Sequence, residues 1–196
     1  MSLCLKKICF ILVVLFAGIA ALFDPFSGFA DNKAAAFTLY SSDIIDGETL
    51  SEKHVYNGFG CTGQNISPAL SWDKVPAGTK SFALTVHDPD APTGSGWWHW
   101  ITFNIPASIT ELPQGAGSHI HDIHPNIMQG VNDYGSNTFG GACPPKGDQP
   151  HRYIFTVHAL SVPYLEIPEN ASAALIGYNI NANTIAQSKI VPTYGR

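Results

Sequence analysis

Asp88-Pro89-Asp90-Ala91-Pro92 places two carboxylates in one proline-stiffened turn, and His99 follows within the apolar run Trp97 to Asn104. A carboxylate beside an imidazole can serve acid–base catalysis, metal ligation or anion binding. A second segment, Cys143 to Tyr153, repeats the design, with Pro144, Pro145 and Gly147 leading into His151. Proline fixes φ, so Asp90 is held with little residual freedom, while Gly94 and Gly96 permit close backbone approach before Trp97. Both segments are built to hold a group in place.

Such groups need strands to carry them. Side chains alternate faces along a strand, so facing follows from residue parity. Ser81 to Asp88 alternates cleanly, with Phe82, Leu84, Val86 and Asp88 on one face. Trp97 to Ile105 groups His99 with Ile101, Phe103 and Ile105, and sets Trp98 and Trp100 together on the opposite face as core. His151 to Leu160 groups His151 with Tyr153, Phe155, Val157 and Ala159. Three ionisable groups therefore fall on apolar faces at strand ends beside Pro/Gly loops, which predicts convergence on one cavity mouth.

Phe37 to Tyr40 and Ile66 to Trp72 are weaker strand candidates, and Ser188 to Tyr194 is a closing one. Asn170 to Gln187 is the one helical region. Asn170 is its expected cap, Ala174, Leu175, Tyr178, Ala182 and Ile185 its apolar stripe, and Gly177 a point of interruption. With 18 Gly and 14 Pro scattered between short runs, the pattern predicts a single mostly β domain with a late helix, a sandwich.

The chain has 196 residues, enough for one domain with a substantial core. Lys6 and Lys7 precede an apolar run from Ile8 to Leu22, and the small-residue pattern Gly28-Phe29-Ala30 follows. This reads as a secretory signal over 1–30, cut after Ala30, with a mature domain over 31–196 and a periplasmic or secreted destination. The run falls short of the ~20 residues that span a bilayer. Without Lys6, Lys7 and Asp24, the 10 basic and 15 acidic residues become 8 and 14, a formal charge of −6. That balance argues against nucleic acid and anionic membranes as main partners, and makes any anion site a local affair. Cys61 and Cys143 remain in the mature chain. An even pair in an exported protein predicts one disulfide around a long loop, with two free thiols as the alternative.

A rigid pocket with imidazole and backbone N–H groups and an aromatic wall suits a small oxyanion such as phosphate. Asp88 would accept from one nitrogen of a histidine and so turn the other N–H toward the ligand. The alternative is a buried polar network that only orders the loops.

Taken together, Gly60-Cys61-Thr62-Gly63-Gln64-Asn65-Ile66-Ser67-Pro68, Asp88-Pro89-Asp90-Ala91-Pro92, Gly96-Trp97-Trp98-His99-Trp100, Gly141-Ala142-Cys143-Pro144-Pro145-Lys146-Gly147-Asp148 and His151-Arg152-Tyr153 resemble the phosphatidylethanolamine-binding protein (Raf-kinase-inhibitor-like) family, in its exported YbcL-like bacterial branch. The resemblance spans nearly all of Phe37 to Tyr194. It implies a β-sandwich of two antiparallel sheets with peripheral short helices, and a pocket for phosphate-like groups or phospholipid head groups. The family's pocket positions carry over to Asp88, Asp90, Trp97, His99, Pro145, His151 and Tyr153, with His99 and His151 lining the anion and Pro145 and Tyr153 walling it. It implies a binding or regulatory protein, not an enzyme, without cofactor or metal, and with a protein partner of unknown identity. Ala182-Asn183 stands where many bacterial members have Gly-His, and the short segment after the helical region implies a more open pocket.

The rival reading is a metal-dependent or hydrolytic enzyme. Asp88, His99 and His151 have the composition of a facial metal triad, and they could run acid–base chemistry with Ser95 nearby. His119, His121 and His124 form a second histidine cluster that could bind a metal or simply be a solvated loop that titrates near ~6.5.

Overall fold

The computed structural model describes residues 36–196; the expected signal over 1–30 lies outside the described residues. In chain order the strands are β1 (Thr38–Tyr40), β2 (Asn57–Gly58), β3 (Cys61–Thr62), β4 (Leu70–Asp73), β5 (Ser81–Asp88), β6 (Trp97–Pro106), β7 (Glu111–Leu112), β8 (Met128–Gln129), β9 (His151–Arg152), β10 (Ile154–Leu160), β11 (Thr184–Ile190) and β12 (Thr193–Tyr194). Among the described residues, two α-helices, α1 (Ile120–Ile123) and α2 (Ala173–Asn183), and two 3₁₀ turns accompany the strands. The mostly β, single-domain fold read from the sequence is what forms.

A five-stranded sheet runs in the order β11-β10-β5-β6-β8, and a three-stranded sheet in the order β1-β4-β7. All their pairings are antiparallel. β12-β9 and β2-β3 form two further pairs. Leu39, Leu70, Trp72 and Leu112 of the smaller sheet share one buried cluster with Phe82, Leu84, Val86, Trp100, Ile105, Phe155 and Val157 of the larger. Side chains of this size contribute ~1.5–3 kcal/mol each when fully buried. The other face of the larger sheet supplies Ala83, Ile101, Phe103 and Leu160 to a second cluster with Ile176 and Ile180 of α2.

Strand β6 corrects the parity reading. Val86 pairs with Trp100 and His87 pairs with Trp98, so His99 is an extra residue with no partner on β5. A bulge of this kind re-aims side chains and upsets strict alternation. Trp100 consequently points into the main core, while Trp98 packs on the α2 side. His99 does not share a face with Ile101 and Phe103; the bulge turns it toward the Asp88 side instead. The run from His151 to Leu160 is likewise broken at Tyr153: β9 pairs with β12 and β10 with β5 and β11.

The helix differs too. Ser172 caps it, accepting from the Leu175 amide at 3.2 Å, and it runs unbroken through Gly177 to Asn183. Its buried residues are Ala173, Ile176 and Ile180; Leu175 and Tyr178 face outward at 43% and 71% exposure. Gly177 lies over the Trp98 ring. Thr184 to Gln187 belong to β11, because β10 offers them a ladder that outweighs one more helical turn.

Candidate functional site

A cavity of about 200 Å³ opens between the turn after β5, the start of β6 and the loop before β9. That is smaller than the usual pocket for a drug-sized ligand. Asp88, Ala91, Pro92 and Thr93 line one side, Trp97, His99 and Tyr134 the floor, and Cys143, Pro144, Pro145 and His151 the other side, with Phe59 at the rim.

Asp88 ends β5 and is buried. Its Oδ1 accepts from the amides of Asp90 at 2.8 Å and Ala91 at 3.1 Å, which closes the proline turn on itself. Its Oδ2 accepts from His151 Nδ1 at 2.7 Å. This is the carboxylate–histidine pair that the sequence implied. The other nitrogen is less free than expected: His151 Nε2 lies 3.5 Å from Asp148 Oδ2. Gly96 lets the strands close here, since its φ is +72° and a Cβ would sit 2.5 Å from the Asp88 carbonyl.

His99 is held differently. Its Nδ1 donates to the carbonyls of Gly140 at 2.8 Å and Gly141 at 3.1 Å. Glycine is required at both positions, because a Cβ on Gly140 would collide with the Tyr134 ring and one on Gly141 with the His54 carbonyl. Asn65 fixes the same segment by accepting from the Gly141 amide at 2.7 Å. Asn132 donates to the His99 carbonyl at 3.1 Å and takes the Tyr134 amide at 3.0 Å. Burial pushes the ring down to about 4, against the pull of the two carbonyls and of Asp88, and His87 adds to the drop. His99 is therefore neutral at neutral pH, with its proton on Nδ1. Its Nε2 is buried and has no hydrogen-bond partner.

Three further polar atoms among the described residues share that condition: Trp97 Nε1, the Tyr153 hydroxyl and, away from the cavity in the core between the sheets, Trp72 Nε1. The Tyr153 ring stands edge-on to His99, with centroids 5.1 Å apart. Burial raises the pKa of Tyr153 and Tyr134, so both stay as neutral O–H groups. The Tyr134 hydroxyl donates to the Gly141 carbonyl at 3.0 Å. An unsatisfied buried polar group costs roughly 1–3 kcal/mol, so the two orphans on cavity-lining residues, Trp97 Nε1 and His99 Nε2, mark where a ligand would gain partners.

The rim is aromatic and covalently tied. Tyr56 and Tyr134 stack at 4.0 Å, and Phe59 tilts against Tyr134 at 5.6 Å. Cys61 and Cys143 form the expected disulfide. Arg196 ties the same two segments, donating to the Pro144 carbonyl at 2.7 Å and the Gly60 carbonyl at 3.0 Å.

Of the expected site residues, Asp88, Trp97, His99, Pro145 and His151 line the cavity, and Tyr153 packs behind His99. Asp90 does not. Its carboxylate turns outward to Arg152, accepting from Nε at 2.9 Å, from an Nη at 2.7 Å and from the Arg152 amide at 2.9 Å. Those hydrogen bonds hold its pKa down at about 2. Asp90 is thus a strut between the turn and β9. Asn183, expected as a lost pocket contributor, is in α2 on the far side of the sheet, where its carbonyl accepts from the Ser161 amide at 2.9 Å. Ser95 also lies outside the cavity lining. Phe59, Asn65, Asn132, Tyr134 and Asp148 carry no sequence signal of their roles, because each acts through contacts made only in the folded chain.

Among the described residues no three His, Cys, Asp or Glu side chains converge as metal ligands. Asp88, His99 and His151 do not converge as a facial triad: both Asp88 oxygens accept from His151 and from the turn amides, and His99 Nδ1 is bound to backbone carbonyls. His119, His121 and His124 do not converge either: His119 lies 4.0 Å from Asp122, and His124 Nδ1 accepts from the Asn126 amide at 3.2 Å.

A family model described as "PBP: Phosphatidylethanolamine-binding protein" matches residues 40–195. The UPF0098 protein YbcL of Escherichia coli is 55% identical over 163 residues, which cover 83% of this chain and 89% of YbcL. UPF0098 protein YbhB of the same organism is 49% identical over 156 residues, covering 80% of this chain and 98% of YbhB. The crystal structure of Escherichia coli YbcL, described as a new member of the mammalian PEBP family, matches with a TM-score of 0.79 at 54% identity, over 83% of this chain and 99% of that one. The PEBP homologue CT736 from Chlamydia trachomatis matches with a TM-score of 0.68 at 31% identity, over 82% and 98% of the two chains.

Proposed function

The chain belongs to the phosphatidylethanolamine-binding protein family, and on that premise we propose that its cavity binds a small phosphate-type oxyanion, free or as a phospholipid head group. The observation that carries this reading is the pair of unpartnered polar atoms, Trp97 Nε1 and His99 Nε2, on two of the residues that line the cavity. A phosphate-type ligand offers oxygens that accept from the indole N–H and, where one of them carries a proton, an O–H for the imidazole nitrogen.

The role is grip, not turnover. Asp88 accepts three hydrogen bonds and His99 is anchored through Nδ1, so neither is poised to exchange protons with a substrate through those atoms. The site is that of a binding protein acting outside the cytoplasm, where a disulfide at the rim persists. Titration with inorganic phosphate or phosphoethanolamine, followed by NMR, should shift the ring resonances of His99 and His151 and the Trp97 indole N–H. If these stay still at millimolar ligand while other resonances move, the cavity is not the site.

A further inference from the structure

We infer that the cavity takes a phospho group that still carries an O–H, and discriminates against sulfate and phosphodiesters, because His99 presents the ligand with a lone pair instead of an N–H. The inference rests on the oxyanion reading above and narrows it.

The geometry of the ring decides this. Two carbonyl oxygens, of Gly140 and Gly141, lie at 2.8 and 3.1 Å from Nδ1. Only an N–H can sit there; the other neutral tautomer would set the Nδ1 lone pair against two oxygens. The proton is therefore committed to Nδ1, and Nε2 is bare. Putting a second proton on the ring means charging a side chain that is 2% exposed. The ionisable groups around it are Asp88 and His87 of β5, Tyr134, Tyr153 and His151. Asp88 favours a charged ring and His87 opposes it, and burial outweighs both to leave the ring titrating at about 4.

An oxygen that is only an acceptor meets repulsion at Nε2. A P–OH donates to it. The remaining ligand oxygens find a donor in Trp97 Nε1, on a residue that lines the cavity, which can only donate. Hydrogen phosphate has both kinds of oxygen. Sulfate has the same shape but no O–H. A phosphodiester, the form present in the head group of phosphatidylethanolamine, has none either. A phosphomonoester has one only while it is singly charged, below its second pKa of ~6.

The test is calorimetric titration of the purified protein with inorganic phosphate, sulfate, dimethyl phosphate and phosphoethanolamine, at about pH 5 and about pH 8. Inorganic phosphate keeps an O–H at both and should bind at both. Sulfate and dimethyl phosphate should bind roughly tenfold to a hundredfold more weakly than phosphate, since a site built around a hydrogen bond penalises a ligand that lacks it. Relative to phosphate, phosphoethanolamine should lose about a hundredfold in affinity between the two conditions as its O–H is titrated away. His99→Asn keeps an amide donor for the glycine carbonyls and deletes Nε2, so the phosphate preference should collapse. Nitrogen NMR of the His99 ring in the wild-type protein gives an answer that does not depend on that variant folding: with phosphate bound, Nε2 should remain unprotonated.

Sulfate binding as tightly as phosphate, a flat pH response of phosphoethanolamine, or a protonated Nε2 in the complex would each overturn the inference while leaving the oxyanion site standing. So would wild-type discrimination in a folded His99→Asn protein. If phosphate does not bind at all, the oxyanion reading falls with it.

Discussion

The two loops that frame the cavity are both stiffened by proline, yet different forces hold them. The loop after β5 is held by charge and hydrogen bonds: Asp88 grips the amides of Asp90 and Ala91, Asp90 forks onto Arg152, and the His87 ring bonds the Ser95 carbonyl at 3.0 Å. The loop before β9 is held by the Cys61–Cys143 bond and by Arg196, whose side chain takes the Pro144 carbonyl and whose own carbonyl takes the Gly147 amide at 3.0 Å. Similar rigidity is thus reached by two routes. One responds to pH, the other to thiol redox chemistry.

The largest expected effect comes from the covalent side. Replacing both Cys61 and Cys143 by Ser frees a loop closed over a sequence separation of 82 residues, which the chain-entropy account puts at about 4 kcal/mol. Urea denaturation of the variant, and of the wild type with and without reductant, checks this. An unchanged midpoint would mean that Arg196 and the prolines suffice. On the charge-held side, Asp88→Asn leaves one amide oxygen to do the work of a carboxylate buried against His151. The expected loss is about 3 kcal/mol, read by the same denaturation, together with weakened phosphate binding.

Acid should loosen the fold through its buried histidines while the disulfide is untouched. His99 and His158, both brought down to about 4 chiefly by burial, titrate in the folded protein below the ordinary ~6.5. The unfolded chain takes up protons first, so stability present above pH ~6.5 is lost as pH falls toward about 4. By pH ~5 each ring should have removed about 2 kcal/mol. Denaturation across that window checks the slope, and His99→Asn should cut it by roughly half. The smallest effect is expected at the surface. Arg152→Ala should barely move the denaturation midpoint, because the pair with Asp90 is half in solvent. It should nonetheless speed amide exchange in residues 89–96 and leave the loop at 143–150 unchanged.

These loops also show what could be read in advance. Strand β5 is uninterrupted from Val86 to Asp88, so parity located Asp88 correctly. The same rule put His99 with Ile101 and Phe103, and the bulge in β6 overturned that grouping while delivering His99 to the cavity anyway. Asp90 resembled Asp88 in type and setting; only the nearness of Arg152 across the turn separated strut from pocket wall. The buried face of α2 differs from the expected stripe for a related reason. Leu175 is as apolar as Ile176 and Ile180, and the face that docks was selected by the fit of Ala173, Gly177 and Ile180 over the sheet.

The sequence by itself determined the family, the mostly β class, the cysteine pair and the loops that converge on one cavity, because turn chemistry, alternation and motif order are local properties of the chain. Tertiary structure decided which way His99 faces, which nitrogen carries its proton, and that Asp90 leaves the pocket. Those outcomes depend on atoms distant in sequence: the carbonyls of Gly140 and Gly141 for His99, and the guanidinium of Arg152 for Asp90. A histidine in a sequence is both a donor and an acceptor, and its neighbours in space choose between them.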